Sequence, residues 1–366
     1  MRIAYVIPGT GLGGTEIMLE RLVTHLDLPR ERQMVFSLRS AGAVGQRLRA
    51  AGVLVRDGGR RGPVGRWWAL RAALEDWGPD LLHGFLFQGS WYARWAARKL
   101  KVPCIAAVRT IEQEKQWHLW LDRGTRGLVT RYTANAEAVQ AFLLPRLGLA
   151  PDRVTVIPNG LDPAALTVPA GAAAAWRRAL GVPADHLLIG TLGRLRHEKG
   201  HRLLLEALAR LPADLPPWAA VVAGDGPERA ALEALGSAPP LAGRVYLPGA
   251  LPDPLLFLHA CDLFVLPSKW EGMPNALMEA MAIGRPCLAT AVGGVVELAR
   301  GETVRLVPPR DPAALADGLA ALLRDPAGRD RLGEAAAVAI RERYPISNTA
   351  ERTLALYREL CPAGLV

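Results

Sequence analysis

The sequence begins with MRIAYVIPGTGLGGTEIMLERLVTH (1–25), in which an apolar run, a glycine-rich loop and an amphipathic stretch follow one another. The run at 3–7 is typical of a buried β-strand, and the apolar spacing over 16–26 is typical of a helix. The short apolar run at the start of the sequence is followed by glycines, which is unlike a signal peptide. A strand, a tight loop and a helix in this order indicate the start of a parallel α/β sheet.

The same alternation of strand and helix continues along the chain. Further strands are predicted at 34–38, 53–55, 81–83, 104–108, 132–134, 187–192, 219–223, 245–246, 263–266, 286–289 and 303–306. Helices are predicted near 42–51, 66–77, 89–100, 135–147, 200–210, 227–235, 274–283 and 312–324. These strands are too many for one compact sheet, so we predict two α/β domains, each with a doubly wound parallel sheet. A single α/β barrel is the alternative.

The domain boundary is expected near VIPNGLDP (156–163), which precedes a stretch rich in Pro, Ala and Gly. This places a first domain at 1–162 and a second at 163–344. Pro345 should stop or kink a helix. The segment 345–366 has helical spacing and is expected to cross back to the first domain.

Composition and charge restrict the class of protein. The chain has 366 residues, half of them hydrophobic, and a formal charge of +9. Residues 1–162 hold 23 Lys and Arg against 14 Asp and Glu, whereas 163–366 hold 21 of each, so the basic excess lies in the first half. No apolar run reaches the roughly 18–20 residues of a membrane-spanning helix. Four scattered cysteines without a CxxC motif fit a reducing cytosol and argue against a disulfide framework or a structural zinc site.

The first loop with candidate chemistry is GTGLGGTE (9–16). Glycines between a strand and a helix let backbone N–H groups approach a phosphate at the positive end of the helix. Gly9, Gly11 and Gly14 also match the G-x-G-x-x-G dinucleotide fingerprint, but the second strand ends in Arg39 and Ser40 where that fingerprint requires an acidic residue. Phosphate binding, dinucleotide binding and a structural tight turn all remain possible interpretations.

The second loop, GTLGRLRHEKG (190–200), follows a predicted strand and leads into a helix. Arg194 and Lys199 are five residues apart in it. Two cations next to helix-terminal amides can clamp a diphosphate. A solvated loop with two exposed cations is the alternative.

The third element is EGMPNALMEAMAIGRP (271–286), which follows the strand LFVLPS. Pro274 suits the first turn of a helix. Glu271 and Glu279 are eight residues, about two turns, apart, so a nucleotide sugar about 10 Å long could contact both. An amphipathic helix with solvated glutamates is the alternative.

Together, these elements resemble glycosyltransferase family 4 (GT4, the glycosyl transferases of group 1). The resemblance rests on Gly13-Gly14-Thr15-Glu16, His83 after PDLL, VIPNGLD, GRLRHEKG, VVAGDGPE and EGMPNALMEAMA, and it is strongest over 154–298. It implies the α/β fold called GT-B, in which two Rossmann-like doubly wound parallel-sheet domains face each other across a cleft. It also implies a retaining glycosyltransferase with a nucleotide-sugar donor, a UDP-sugar before a GDP-sugar.

The resemblance implies a role for each matched residue. Glu271 would face the donor sugar, Glu279 would accept hydrogen bonds from the ribose, and Arg194 with Lys199 would neutralise the leaving diphosphate. Glu271, His83, Arg194 and Lys199 are therefore the candidate catalytic residues. The candidate donor-binding residues are Gly13, Gly14, Arg194, Lys199, Gly272, Met273, Pro274, Asn275, Ala276, Leu277 and Glu279. For His83, a buried structural histidine is the alternative.

The mechanism expected from these residues uses no cofactor. The sequence has no D-x-D motif to hold a metal on the diphosphate, so we expect protein cations to replace the metal and no metal to be required. No well-placed nucleophile is evident, which favours front-face attack by an acceptor hydroxyl whose proton passes to the leaving phosphate.

The expected partners are the nucleotide sugar, a lipid-linked or glycan acceptor and an anionic membrane surface. Arg60, Arg61, Arg66, Trp67 and Trp68 lie in a basic, aromatic stretch that suits such a surface. A second aromatic cluster is QWHLW (116–120). We expect a cytoplasmic enzyme, peripheral on the inner face of the plasma membrane, in cell-surface polysaccharide or glycolipid biosynthesis. No nucleic-acid-binding module is evident, so no nucleic acid partner is expected.

Three alternatives share the same fold and motifs. They are a sugar-nucleotide epimerase, a phosphorylase and a catalytically inactive GT-B scaffold protein. Transfer to an acceptor, donor isomerisation and phosphate-dependent cleavage distinguish them. An inactive scaffold would be expected to have lost Arg194 and Lys199 or the pair of glutamates, and this chain carries all four.

Overall fold

The computed structural model describes residues 1–111 and 117–362. These residues form two compact units. Unit 1 comprises Met1–Gly160 and the segment that starts at Pro345, and unit 2 comprises Leu161–Tyr344. The last four residues of the segment expected to cross back, 363–366, lie outside the described residues.

Among its described residues, unit 1 is built on seven parallel strands in the order β3-β2-β1-β4-β5-β6-β7. They are β1 (Ile3–Ile7), β2 (Gln33–Ser37), β3 (Leu54–Asp57), β4 (Leu81–Phe85), β5 (Cys104–Val108), β6 (Arg131–Ala134) and β7 (Val154–Val156). The helices of the same unit are α1 (Gly14–His25), α2 (Ala43–Ala50), α3 (Pro63–Trp77), α4 (Leu86–Leu100), α5 (Trp117–Thr125) and α6 (Glu137–Leu147). Strands β1, β2 and β4 are buried at every residue, as expected of a parallel sheet covered on both faces.

Unit 2 is built on six parallel strands in the order β10-β9-β8-β11-β12-β13. They are β8 (Leu187–Leu192), β9 (Trp218–Ala223), β10 (Val245–Gly249), β11 (Leu263–Leu266), β12 (Cys287–Thr290) and β13 (Arg305–Val307). Its helices are α7 (Ala172–Ala179), α8 (His201–Leu208), α9 (Arg229–Gly236), α10 (Pro254–Ala260), α11 (Asn275–Ala282), α12 (Val295–Leu298), α13 (Pro312–Arg324) and α14 (Pro326–Arg343).

The chain leaves unit 2 at a proline and adds one helix to unit 1. Helix α14 ends at Arg343, Pro345 precedes the next helix, and α15 (Ile346–Leu360) packs in the core of unit 1 through Leu354 and Tyr357. Gly160, at the end of the first pass through unit 1, lies against this returning segment. A Cβ there would come within 2.7 Å of the Ile346 Cα, so glycine permits the close approach.

The structure also shows the state of the cysteines and the character of the helices. The four cysteines are buried free thiols, and burial raises the pKa of Cys104 to about 12. In the part of the chain that the structure describes, no helix is long and apolar enough to cross a membrane.

Candidate active site

The order of the strands in unit 2 places one crevice at the carboxyl edge of its sheet. Strand β8 is flanked by β9 on one side and by β11 on the other, so the connections leave β8 and β11 in opposite directions. Open α/β sheets bind ligands in the crevice at such a switch point. The loop after β8 carries Arg194 and Lys199, and the loop after β11 carries Glu271.

Lys199 and Glu271 meet at this switch point. The Lys199 Nζ donates to Glu271 Oε1 at 2.6 Å, and the Ser268 hydroxyl donates to the same oxygen at 2.7 Å. Glu271 is only 6% exposed, whereas Lys199 is partly exposed. An ammonium has three N–H donors, and this bond uses one. The pair therefore holds a cation in place while donors remain for an anion.

Two glycines bring the neighbouring loops into backbone contact. Gly200 has φ +66°, and a Cβ there would lie 2.0 Å from the Pro267 carbonyl oxygen. Gly224, after β9, has φ +137°, and a Cβ there would lie 1.8 Å from the Gly193 carbonyl oxygen. Both positions require glycine, so the loops after β8, β9 and β11 pack as one body.

Arg194 lies in the same loop as Lys199 and is exposed. Within residues 1–111 and 117–362, no acid or carbonyl pairs with its guanidinium. The sequence predicted that both cations are available to a diphosphate. The structure separates their environments, because Lys199 is paired with an acid and Arg194 faces solvent.

Helix α11 contains the second glutamate of the predicted pair. Pro274 is extended (φ −79°, ψ 115°) and directly precedes Asn275, the first helical residue. The helix therefore begins one residue later than predicted. The first turn holds Asn275, Ala276 and Leu277, and helix starts present N–H groups and positive potential to a ligand. Glu279 lies in the next turn and is 7% exposed, so the alternative of a solvated glutamate does not apply to it.

The loop between Glu271 and α11 is fixed by the neighbouring strand. The Gly294 N–H donates to the Gly272 carbonyl at 2.8 Å, and the Thr290 hydroxyl donates to the Ser268 carbonyl. Met273 is buried in the core of unit 2. The backbone of the predicted donor-binding loop is therefore held from the side of β12.

Two residues of this site were not identified from the sequence. Ser268 lies two residues after the end of β11, and a polar residue just beyond a buried strand is the signal that could have found it. His201 begins α8 and is buried, and its Nδ1 has no hydrogen-bond partner among the described residues. Burial, and then Lys199, lower the His201 pKa to about 4, so this ring is neutral at pH 7.

In unit 1 the switch point lies between β1 and β4. His83 lies on β4 and is 3% exposed, and its Nδ1 is 2.7 Å from the Tyr357 hydroxyl on α15. Burial, and then Arg109, lower the His83 pKa to about 3, so the ring is neutral. Gly13 caps α1 and Gly14 is its first residue. The catalytic contact of His83 stays a prediction, while its observed partner is Tyr357.

A polar group at the ends of β5, β6 and β7 was also missed. The Arg109 guanidinium donates to Asn159 Oδ1, and Asn135 Nδ2 donates to the Arg109 carbonyl at 3.3 Å. Burial lowers the Arg109 pKa to about 10, against the opposing effect of the Glu16 carboxylate. Arg109 and Asn135 are each the first residue after a buried strand, and a polar residue at that position is the signal in the sequence.

The basic, aromatic stretch of unit 1 is partly packed. Arg60 and Arg61 are exposed, and Trp68 is exposed with the Arg71 guanidinium 5.2 Å from its ring centroid. Trp67 packs against the core, as the alternative of aromatic packing on the sheet expects. Arg66 is half-buried.

In the second aromatic cluster, Trp117 and Trp120 are exposed on α5, and Gln116 lies outside the described residues. No group of three or more His, Cys, Asp or Glu side chains that could hold a metal ion occurs among the residues that the structure describes.

Family models and similar proteins of known sequence all indicate glycosyltransferases. The model of Glycosyltransferase Family 4 matches residues 12–165, and the model of Glycosyl transferases group 1 matches residues 173–338. The putative glycosyltransferase EpsF of Bacillus subtilis (strain 168) is 30% identical over 302 residues, which are 78% of each protein. The lipopolysaccharide core biosynthesis mannosyltransferase LpsB of Rhizobium meliloti (strain 1021) is 34% identical over 220 residues, 56% of this chain and 61% of that protein.

A solved structure shows the same fold. Anabaena Alr3699/HepE in complex with UDP-glucose superposes with a TM-score of 0.89 at 22% identity, over 98% of this chain and 100% of that chain. The predicted fold class, with two Rossmann-like parallel sheets of the GT-B type, is thereby confirmed, and the single barrel is excluded. The chain belongs to glycosyltransferase family 4. It is a glycosyltransferase, as the resemblance implied.

Proposed function

We propose that this glycosyltransferase transfers a sugar, with retention of configuration, from a nucleotide sugar bound at the switch point of unit 2. The observation that carries the proposal is the Lys199–Glu271 pair beside the first turn of α11. A UDP-sugar is the favoured donor, which fits the UDP-glucose complex of the Anabaena protein, and a GDP-sugar is the next candidate. Lys199 and Arg194 bind the diphosphate, and Glu279 accepts hydrogen bonds from the ribose.

The Glu271 carboxylate is suited to the donor sugar. In the described part of the chain, the hydrogen bonds from Lys199 and Ser268 both go to Oε1, and no group donates to Oε2. A carboxylate oxygen accepts strong hydrogen bonds from hydroxyls. Oε2 therefore accepts from a hydroxyl of the sugar, while Lys199 and Ser268 keep the carboxylate in position.

The chemical step places negative charge on the leaving group. The bond between the anomeric carbon and the phosphate oxygen breaks, and its electron pair stays on the nucleoside diphosphate. The acceptor oxygen bonds to the anomeric carbon on the same face, and its proton passes to the departing phosphate oxygen. Lys199 and Arg194 stabilise the developing charge without a metal, and removing one such donor typically costs about 3–4 kcal/mol.

The acceptor is a hydroxyl of a lipid-linked or glycan molecule in cell-surface polysaccharide or glycolipid biosynthesis. The name of LpsB, a lipopolysaccharide core enzyme, supports this class. The positive charge of unit 1 and its exposed Arg60, Arg61 and Trp68 support binding to the anionic inner face of the plasma membrane.

A donor panel tests the proposed reaction. UDP- and GDP-sugars are compared by thermal shift, and nucleotide release is then measured with and without a lipid-linked acceptor. We expect a rise in melting temperature with one nucleotide class, release that requires acceptor and continues in excess EDTA, and a product that keeps the anomeric configuration by NMR. Isomerised donor, or cleavage that requires inorganic phosphate, would instead identify an epimerase or a phosphorylase. Failure to float with anionic vesicles at low salt would refute the membrane assignment.

A further inference from the structure

Helices α3 and α4 of unit 1 enclose an open groove of about 980 Å³. Its walls are apolar: Val64 and Trp67 lie on α3, and Trp91 and Trp95 lie on α4. Val64 is 71% exposed and Trp95 is 37% exposed. Ligand pockets are typically concave and lined mostly by apolar and aromatic side chains. The groove is therefore a candidate site of its own, separate from the switch points described above.

The groove is held in a fixed shape by its own helices. The Tyr92 hydroxyl on α4 donates to the Pro63 carbonyl in the first turn of α3 at 3.0 Å. The rings of Trp91 and Trp95 are in edge contact, with centroids 6.1 Å apart. Such preorganisation reduces the conformational entropy that the groove itself loses when a ligand binds.

An aromatic row connects the groove to the carboxyl edge of the sheet. Phe87, Trp91 and Trp95 are four residues apart along α4, and the Phe87 and Trp91 centroids are 6.0 Å apart. Helix α4 begins directly after β4, one of the two strands at the switch point of unit 1. Eight residues of helix span about 12 Å. The row thus extends about 12 Å along α4 from the edge where α/β sheets bind ligands.

The charges around the groove are cationic. Arg98 and Lys99 line one end and are exposed, and among the described residues neither forms an ion pair. Arg60 and Arg61 precede the first residue of α3. An apolar wall next to unpaired cations complements a molecule with a hydrocarbon chain and an anionic head.

We propose that the α3/α4 groove binds the hydrocarbon chain of a phosphorylated lipid, which is the acceptor of the transfer reaction. This inference rests on the proposed function and narrows its acceptor to the lipid-linked class. The hydrocarbon chain lies against Trp67, Trp91 and Trp95. Arg60 and Arg61, which lie between the carboxyl end of β3 and the start of α3, bind the phosphate.

Quenching of tryptophan fluorescence by a brominated dodecyl phosphate tests the site. We expect saturable quenching in the wild-type protein, and about tenfold weaker binding in Val64→Glu and Trp95→Glu, because a carboxylate in the groove opposes both chain and phosphate. Val64→Glu keeps every tryptophan, so its signal is directly comparable with that of the wild type. Trp120→Glu, on the exposed surface of α5, is the matched control and should bind as the wild type does. Inorganic phosphate should not compete at equal concentration.

Two results would overturn the inference. One is quenching that rises linearly with the brominated probe in the wild type. The other is equal weakening by Trp95→Glu and Trp120→Glu, which would indicate adhesion to a general surface. The thermal shift with the donor is measured on the same variants and should not change. If the wild-type protein shows no thermal shift with any donor, the proposed reaction is refuted. If it shows the thermal shift but does not bind the brominated probe, only the groove assignment is refuted.

Discussion

Lys199 and Glu271 are 72 residues apart in the sequence and 2.6 Å apart in the structure, where they join the loops after β8 and β11. Because these strands are neighbours at the switch point, the pair spans the crevice in which α/β sheets bind ligands. The cation is therefore positioned before any ligand arrives, and so is the carboxylate.

Lys199→Ala should lower kcat by about 10²–10³, because a preorganised donor to the developing phosphate charge is lost. Arg202→Ala is the matched control, since it removes an exposed cation on α8 that is already paired with Glu206. Its kcat should equal that of the wild type. The measurement is nucleotide release under saturating donor, and a Lys199→Ala enzyme with near-normal turnover would contradict the role of this cation.

Glu271→Gln and Lys199→Ala should not act independently. A neutral amide at position 271 cannot form the ion pair with Lys199. In the Glu271→Gln background, Lys199→Ala should therefore lower kcat/KM by a smaller factor than it does in the wild type. We expect a coupling free energy of about 1–3 kcal/mol from the double-mutant cycle in kcat/KM. Additive effects would show that the ion pair has no part in catalysis.

The buried His83 should make stability fall in acid. Below pH 6.5 the unfolded chain binds a proton at this residue, whereas the folded chain does not until about pH 3, so unfolding is increasingly favoured between these values. His83→Gln should reduce the slope of the unfolding free energy by about 1.4 kcal/mol per pH unit in this window. Urea unfolding at pH 5.5 and pH 4, both within this window, measures the slope by tryptophan fluorescence.

Tyr357→Phe serves as the control for this experiment, because it removes the hydroxyl partner but leaves the buried ring. It should lower stability at both pH values by the same amount. An unchanged slope in His83→Gln would mean that His83 is protonated in the folded protein.

Gly200→Ala should disrupt the loop that carries Lys199. The new Cβ would lie 2.0 Å from the Pro267 carbonyl oxygen, at a φ that L-residues rarely adopt. Gly171→Ala, with a similar φ of +77° and open space around it, incurs only the backbone cost, about 1 kcal/mol. Gly200→Ala should lose more stability and also lose the thermal shift with the donor. Equal behaviour of the two variants would argue against packing between these loops.

Arg94→Met should destabilise unit 1 strongly. Arg94 on α4 is fully buried and lies 2.6 Å from Asp122 on α5, so the substitution leaves a carboxylate with no opposite charge. Breaking a buried pair on one side typically costs about 3–5 kcal/mol. Arg98→Met, one turn along and exposed, should change stability by no more than about 0.5 kcal/mol. Urea unfolding compares them, and similar losses would show that the pair is not stabilising.

Much of the fold could be predicted because its signals are local. The segments 3–7, 104–108, 187–192 and 263–266 were predicted as strands with the bounds observed, since continuous apolar runs bounded by polar or turn residues define buried parallel strands. Strand β7 was missed because it runs directly into the stretch 156–163, which was interpreted as the domain boundary. Helix α7 was also missed, and it begins directly after the stretch rich in Pro, Ala and Gly that follows the predicted domain boundary.

The sequence by itself determined the two parallel sheets, the loops that could hold a phosphate and the family to which the chain belongs. The tertiary structure decided which side chains meet. It paired Lys199 with Glu271, and it brought Tyr357 to His83 from 274 residues away. It also formed a groove between α3 and α4 that the sequence of neither helix shows by itself. Strands and helices are indicated by residues that are neighbours in the sequence. The contacts listed above depend instead on the order of the strands in each sheet and on the position at which each connection brings the chain back to it.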